Sequence, residues 1–88
     1  MKVLEVIHLR QMGHSNQSIL DVLRATVKAE CDGSEVTVLS RIGLASDLSI
    51  HIAREVHHPE NLQSVTGQRL VAALNEYGLV EHTLWKEM

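Results

Sequence analysis

The run Leu48-Ser49-Ile50-His51-Ile52-Ala53-Arg54-Glu55-Val56 alternates apolar and polar side chains almost residue by residue. Successive side chains of an extended segment point to opposite sides, so this run reads as a strand with one face in a core. Leu48, Ile50 and Ile52 take the core side; Ser49, His51, Ala53 and Glu55 take the other. Just upstream, Val36-Thr37-Val38-Leu39-Ser40-Arg41-Ile42 is rich in β-branched types, and the connection from Gly43 to Asp47 is short enough for an antiparallel hairpin. Just downstream, His57-His58-Pro59-Glu60-Asn61 ends the pattern, because proline offers no N–H to a ladder.

On either side of this hairpin the same order recurs. Val3 to Arg10 reads as a strand and Gly13-His14-Ser15-Asn16 as a turn. Ile19, Leu20, Leu23, Thr26 and Val27 then recur at helical intervals until Glu30-Cys31-Asp32-Gly33-Ser34-Glu35 stops the helix, with Ser15 or Ser18 available as its cap. Past Pro59, Asn61 or Ser64 can cap a second helix whose stripe is Val65, Leu70, Ala73, Leu74 and Tyr77. Gly78 ends that helix, and Leu79 to Trp85 forms a last strand. The string β-α-β-β-α-β is the split βαβ, or ferredoxin-like, arrangement: an α+β sandwich with a four-stranded antiparallel sheet in the order 4-1-3-2 and both helices on one face.

A chain of 88 residues with 44% apolar content supports one core, so a single α+β domain spanning 1–88 is expected. There is no Phe, and Tyr and Trp occur once each, so that core must be aliphatic. The net charge of −3, without a basic run, argues against binding to a phosphate backbone. Cys31, the single cysteine, cannot form an internal disulfide, and Glu5 and His8 interrupt the apolar N-terminal run before it reaches signal or membrane-span length. The expectation is a cytoplasmic protein that engages neither nucleic acid nor membrane.

With both helices on one side, the other face of the sheet is left open. In the first strand the two faces are Val3, Glu5, Ile7, Leu9 and Leu4, Val6, His8, Arg10; in the last they are Leu79, Glu81, Thr83, Trp85 and Val80, His82, Leu84, Lys86. Both faces of these strands are half apolar, which implies that something covers the open one. A second copy of the chain is the simplest cover, and a homodimer through the open sheet face is expected. His8, His51 and His82, on neighbouring strands, would then share one face and line a cavity with Arg41 or Ser40. These four residues, His8, His51, His82 and Arg41, are the catalytic or ligand-binding candidates, since histidine titrates near neutrality and arginine binds acids. Arg10, Arg41 and Arg54 could instead pair with Glu5, Glu55 and Glu81 across strands. The six histidines include no HxH or HxxxH pair, so neither a metal nor a cofactor is expected.

In element order, face pattern and length, down to the closing run Gly78-Leu79-Val80-Glu81-His82-Thr83-Leu84-Trp85, the chain resembles the dimeric α/β-barrel superfamily, which includes the antibiotic biosynthesis monooxygenases and stress-responsive barrel proteins. The resemblance implies the ferredoxin-like fold. It also implies a range of activities, from cofactor-free oxygenation of aromatic or polyketide-like substrates to haem degradation, and it transfers no site residue, because no specific motif carries it. RNA-recognition domains of this topology stack bases on strand aromatics, and metal chaperones use CxxC; neither pattern is present. Two readings follow: a dimeric small-ligand-binding or regulatory module that takes a small ligand, an acidic one included, or a partner chain; or a cofactor-free, monooxygenase-like enzyme in which a histidine of the cavity acts as general base on a small acidic substrate.

Overall fold

The computed structural model describes residues 1–11, 16–29, 35–57 and 64–88; the expectations placed on His14, Ser15, Cys31, Gly33, His58, Pro59 and Asn61 lie outside the described residues. Along the chain run β1 (Lys2–Gln11), α1 (Asn16–Ala29), β2 (Glu35–Arg41), β3 (Leu44–Glu55), α2 (Val65–Leu74), a 3-10 turn (Asn75–Tyr77) and β4 (Gly78–Lys86). The strands form one antiparallel sheet in the order β2-β3-β1-β4. This is the ferredoxin-like α+β arrangement, with β1 and β3 in the middle. Among the described residues no helix is long and apolar enough to cross a membrane.

One layer of aliphatic side chains joins helices to sheet. Ile7 and Leu9 of β1 and Leu48, Ile50 and Ile52 of β3 meet Ile19 and Leu23 of α1 and Leu70 and Leu74 of α2, all buried. Each such side chain contributes about 1.5–3 kcal/mol of burial free energy. The alternation in β3 thus assigns faces as expected. Helix α2 begins at Ser64, whose Oγ accepts the Gly67 N–H at 2.8 Å and satisfies one exposed amide of the first turn.

The hairpin is tighter than the sequence suggests. Gly43 adopts φ 86°, a left-handed conformation in which a side chain would be strained, and β3 starts at Leu44 rather than Leu48. Asp47 therefore sits within a strand, opposite Arg10, and a register shift between Ser40 and Arg41 turns the end of β2 toward it.

Candidate functional site

Register places the open-face side chains in rows across the sheet. Thr37, His51, Val6 and Thr83 form one row and Leu39, Ser49, His8 and Glu81 the next; Asp47, Arg10 and Leu79 follow, with Arg41 reaching in from β2. At the other end Glu35, Ala53, Leu4 and Trp85 line up. His8 and His51 therefore share the open face, and His51 Nε2 lies 2.9 Å from Ser49 Oγ.

His82 does not join them, which corrects the expectation of three histidines on one face. It pairs with Ile7, whose side chain is in the core, so its ring points to the helix side. The physical reason is that β4 carries apolar residues at both parities, and only its register with β1 decides between them. Ser40 likewise pairs with the buried Leu48 and falls on the helix side, away from Arg41's contacts.

On the helix side, His82 Nε2 lies 2.9 Å from Oε2 of Glu5, a carboxylate without solvent exposure. A carboxylate can only accept, so Nε2 carries the hydrogen. The other oxygen of Glu5 accepts from Arg54 Nε at 3.0 Å and from the Ser64 N–H at 2.6 Å. An ionised group in an aliphatic layer needs such partners, and here two strands and the positive end of α2 supply them. Gly67 makes the approach possible, because a Cβ at that position would collide with the Glu5 carboxylate.

The open face carries a second carboxylate. Asp47 is 2% exposed and is ringed by Arg41 Nη1 at 3.3 Å, Arg10 Nε at 3.4 Å and His8 Nε2 at 3.4 Å. Burial pushes its carboxyl up, but Arg41, Arg10 and His8 together outweigh burial and hold it below the ordinary value of 3.8. The expected pairing of arginines with glutamates thus holds for Arg54 and Glu5, whereas Arg10 and Arg41 turn to Asp47 and Glu55 takes the N-terminal ammonium at 2.8 Å. The sequence places Asp47 in the connection after Gly43, and its parity with Ser49 and His51 is the signal that puts it on this face.

Two hollows lie on this face. One, of about 510 Å³, is lined by His8, Leu39, Arg41, Asp47, Thr83 and Trp85 among others. The second, of about 340 Å³, has Leu4, Ala53 and Trp85 as its apolar wall and Lys2 at its rim. Trp85 borders both and is 61% exposed. Among the described residues no three His, Cys, Asp or Glu side chains converge as metal ligands would.

No protein-family model matches the chain, and no curated protein matches it in sequence. Solved structures do match in shape. A conserved protein of Methanosarcina mazei Go1 superposes with a TM-score of 0.76 at 9% identity, over 100% of this chain and 94% of its own. A variant of SnoaB, a cofactor-independent oxygenase of Streptomyces nogalater, superposes with a TM-score of 0.75 at 18% identity, over 98% of this chain and 92% of its own. A Bordetella bronchiseptica protein assigned to the antibiotic biosynthesis monooxygenases gives 0.63 at 11% identity, over 99% and 97% of the two chains. At such identities the likeness is one of backbone course, and it bears on the ferredoxin-like fold alone.

Proposed function

We propose that the chain is a homodimeric module that binds a small organic acid in the hollow beside Asp47. The observation that carries this reading is the convergence of Arg10, Arg41 and His8 on Asp47, at the edge of a hollow that Glu81 also lines. One carboxylate is shared by two guanidinium groups and an imidazole at 3.3–3.4 Å, longer than tight charge-assisted hydrogen bonds. Arg10 and Arg41 are 58% and 62% exposed, so each presents guanidinium N–H donors to an incoming acid. The hollow of about 510 Å³ falls within the size range of small-ligand sites, about 300–1,000 Å³.

The second copy supplies the roof. Strands about 4.8 Å apart with a rise of about 3.3 Å per residue give the open face roughly 600 Å². Two such faces together reach about 1,200 Å², the lower bound of a specific interface. Leu4, Val6, Leu39 and Trp85 supply apolar contacts across it.

Trp85 is the single tryptophan, so its fluorescence reports on the hollow directly. Titration with short carboxylates should shift the emission, and Arg41→Ala should weaken binding about tenfold, the loss of one charged hydrogen bond. Absence of any saturable response in the unaltered protein would refute the reading.

A second reading, a cofactor-free oxygenase in the manner of SnoaB, is favoured by the Glu5–His82 pair, since a carboxylate that fixes an imidazole is a common general-base arrangement. Oxygen uptake with an electron-rich phenol, lost in His82→Ala, would place it first. It ranks second because neither hollow described above is lined by His82 or Glu5.

A further inference from the structure

Along the open face of β3 the side chains run Asp47, Ser49, His51. Alternate residues of a strand lie roughly 6.6 Å apart, a gap that an imidazole spans. His51 Nε2 accordingly lies 2.9 Å from Ser49 Oγ. With the ring hydrogen on Nδ1, Nε2 accepts the Ser49 hydroxyl hydrogen, and a base within about 2.6–3.2 Å is placed to take that proton from a serine nucleophile. Both side chains are half-buried. Ser49 opens on the hollow of about 510 Å³, in whose lining Arg41 and the His8 ring stand against Asp47 and Glu81. His51 stands one row behind it, between Thr37 and Val6. His8 is the partner of Ser49 on β1, but its Nε2 turns to Asp47 at 3.4 Å, so the ring that addresses the hydroxyl is His51.

We propose that this hollow carries a hydrolytic activity: Ser49 is the acyl-accepting nucleophile, His51 its base, and the substrate an uncharged ester of a short carboxylic acid. The proposal goes beyond the acid-binding reading above, whose ligand becomes the product. Ser49 Oγ adds to the ester carbonyl carbon as its proton passes to His51 Nε2. The alcohol oxygen leaves with that proton, and an acyl-serine remains. A water that gives its proton to His51 then attacks the same carbon, Oγ leaves and takes the proton back, and the acid is released. The lining suits this order of events. An uncharged ester meets acidic and basic side chains in balance, and negative charge arises on the carbonyl oxygen only as Oγ adds, where the 62% exposed Arg41 offers its N–H donors. The apolar contacts to the second copy fall on Leu4, Val6, Leu39 and Trp85, and the reacting groups lie on β3 among them, so roof and reaction use different side chains.

The experiment treats the full chain with an alkyl fluorophosphonate, locates the adduct by peptide mass spectrometry, and follows turnover of p-nitrophenyl butyrate. One adduct per chain is expected, on Ser49, with turnover that falls about 100-fold in Ser49→Ala. His51→Gln keeps a hydrogen-bond acceptor beside Ser49 but no base, and should lower both labelling and turnover about as far, with its circular dichroism unchanged. Imidazoles by themselves cleave activated esters, so the position of the adduct decides. An adduct elsewhere than Ser49, or turnover that survives Ser49→Ala, would overturn the proposal. A chain inert to both probes would overturn it as well and leave the acid site standing, because the Trp85 titration with short carboxylates reads that site separately. Labelled Ser49 with a silent titration would sustain the hydrolytic site and remove the acid-binding reading.

Discussion

Glu5 and Asp47 are both removed from solvent, yet their partners hold them differently. Glu5 makes hydrogen bonds of 2.6–3.0 Å to three elements and has no slack; Asp47 makes contacts of 3.3–3.4 Å to the exposed Arg10 and Arg41 and to the His8 ring. Replacing Glu5 by Ala removes the acceptor shared by Arg54 Nε, the Ser64 N–H and His82 Nε2, and urea unfolding should show a loss of about 3–5 kcal/mol, as for other broken buried pairs. Asp47 should leave its mark on acid stability. Its carboxyl in the folded protein gives up its proton more readily than in the unfolded chain, where the ordinary value is 3.8. Its stabilisation is therefore complete above that value and is lost as the pH falls below it through the lower, folded value. Asp47→Asn should unfold with a flatter pH dependence in that acid window than the unaltered protein, and an unchanged slope would contradict this account. Of these two residues, Glu5 could be placed from parity as a neighbour of Ile7. Asp47 shares the parity of Ser49 and His51, but that signal counts only once the turn at Ile42 and Gly43 lets the strand begin at Leu44.

The elements were legible to different depths for a physical reason. In β3 every second residue from Leu48 to Ile52 is aliphatic, so one strand alone fixes its faces. In β4, Leu79 and Trp85 on one face compete with Val80 and Leu84 on the other, and the chain offers no local means of choosing. The choice is made by tertiary contacts, among them Glu5, which lies where only His82's parity can reach it. Helix α2 shows the same dependence on a distant residue. Its glycine lowers helix propensity, yet Gly67→Ala, which would stabilise an isolated helix, should cost about 1–3 kcal/mol here, because the methyl group and the Glu5 carboxylate would occupy the same space. The pair Gly67→Ala with Glu5→Ala tests the explanation: the double variant should be less unstable than the sum of the single changes.

For the molecule as a whole, the open face decides behaviour in solution. Light scattering should give twice the chain mass, and Trp85→Glu, which sets a charge in the middle of the apolar end, should return the mass of one chain with its helical circular dichroism intact. A single-chain mass for the unaltered protein would remove the roof from the proposed site. One feature of the sheet reaches beyond function. β1 is made first but lies between β3 and β4, and Val3 has Lys86 as its partner. During synthesis the flank of β1 that will receive β4 stays bare, a row of unsatisfied amides beside aliphatic side chains, until almost all of these residues have emerged. Closing that gap is a long-range event of the kind that slows folding, and a ribosome that stalls before Gly78 would release a chain whose central β1 is ready to pair with a stranger.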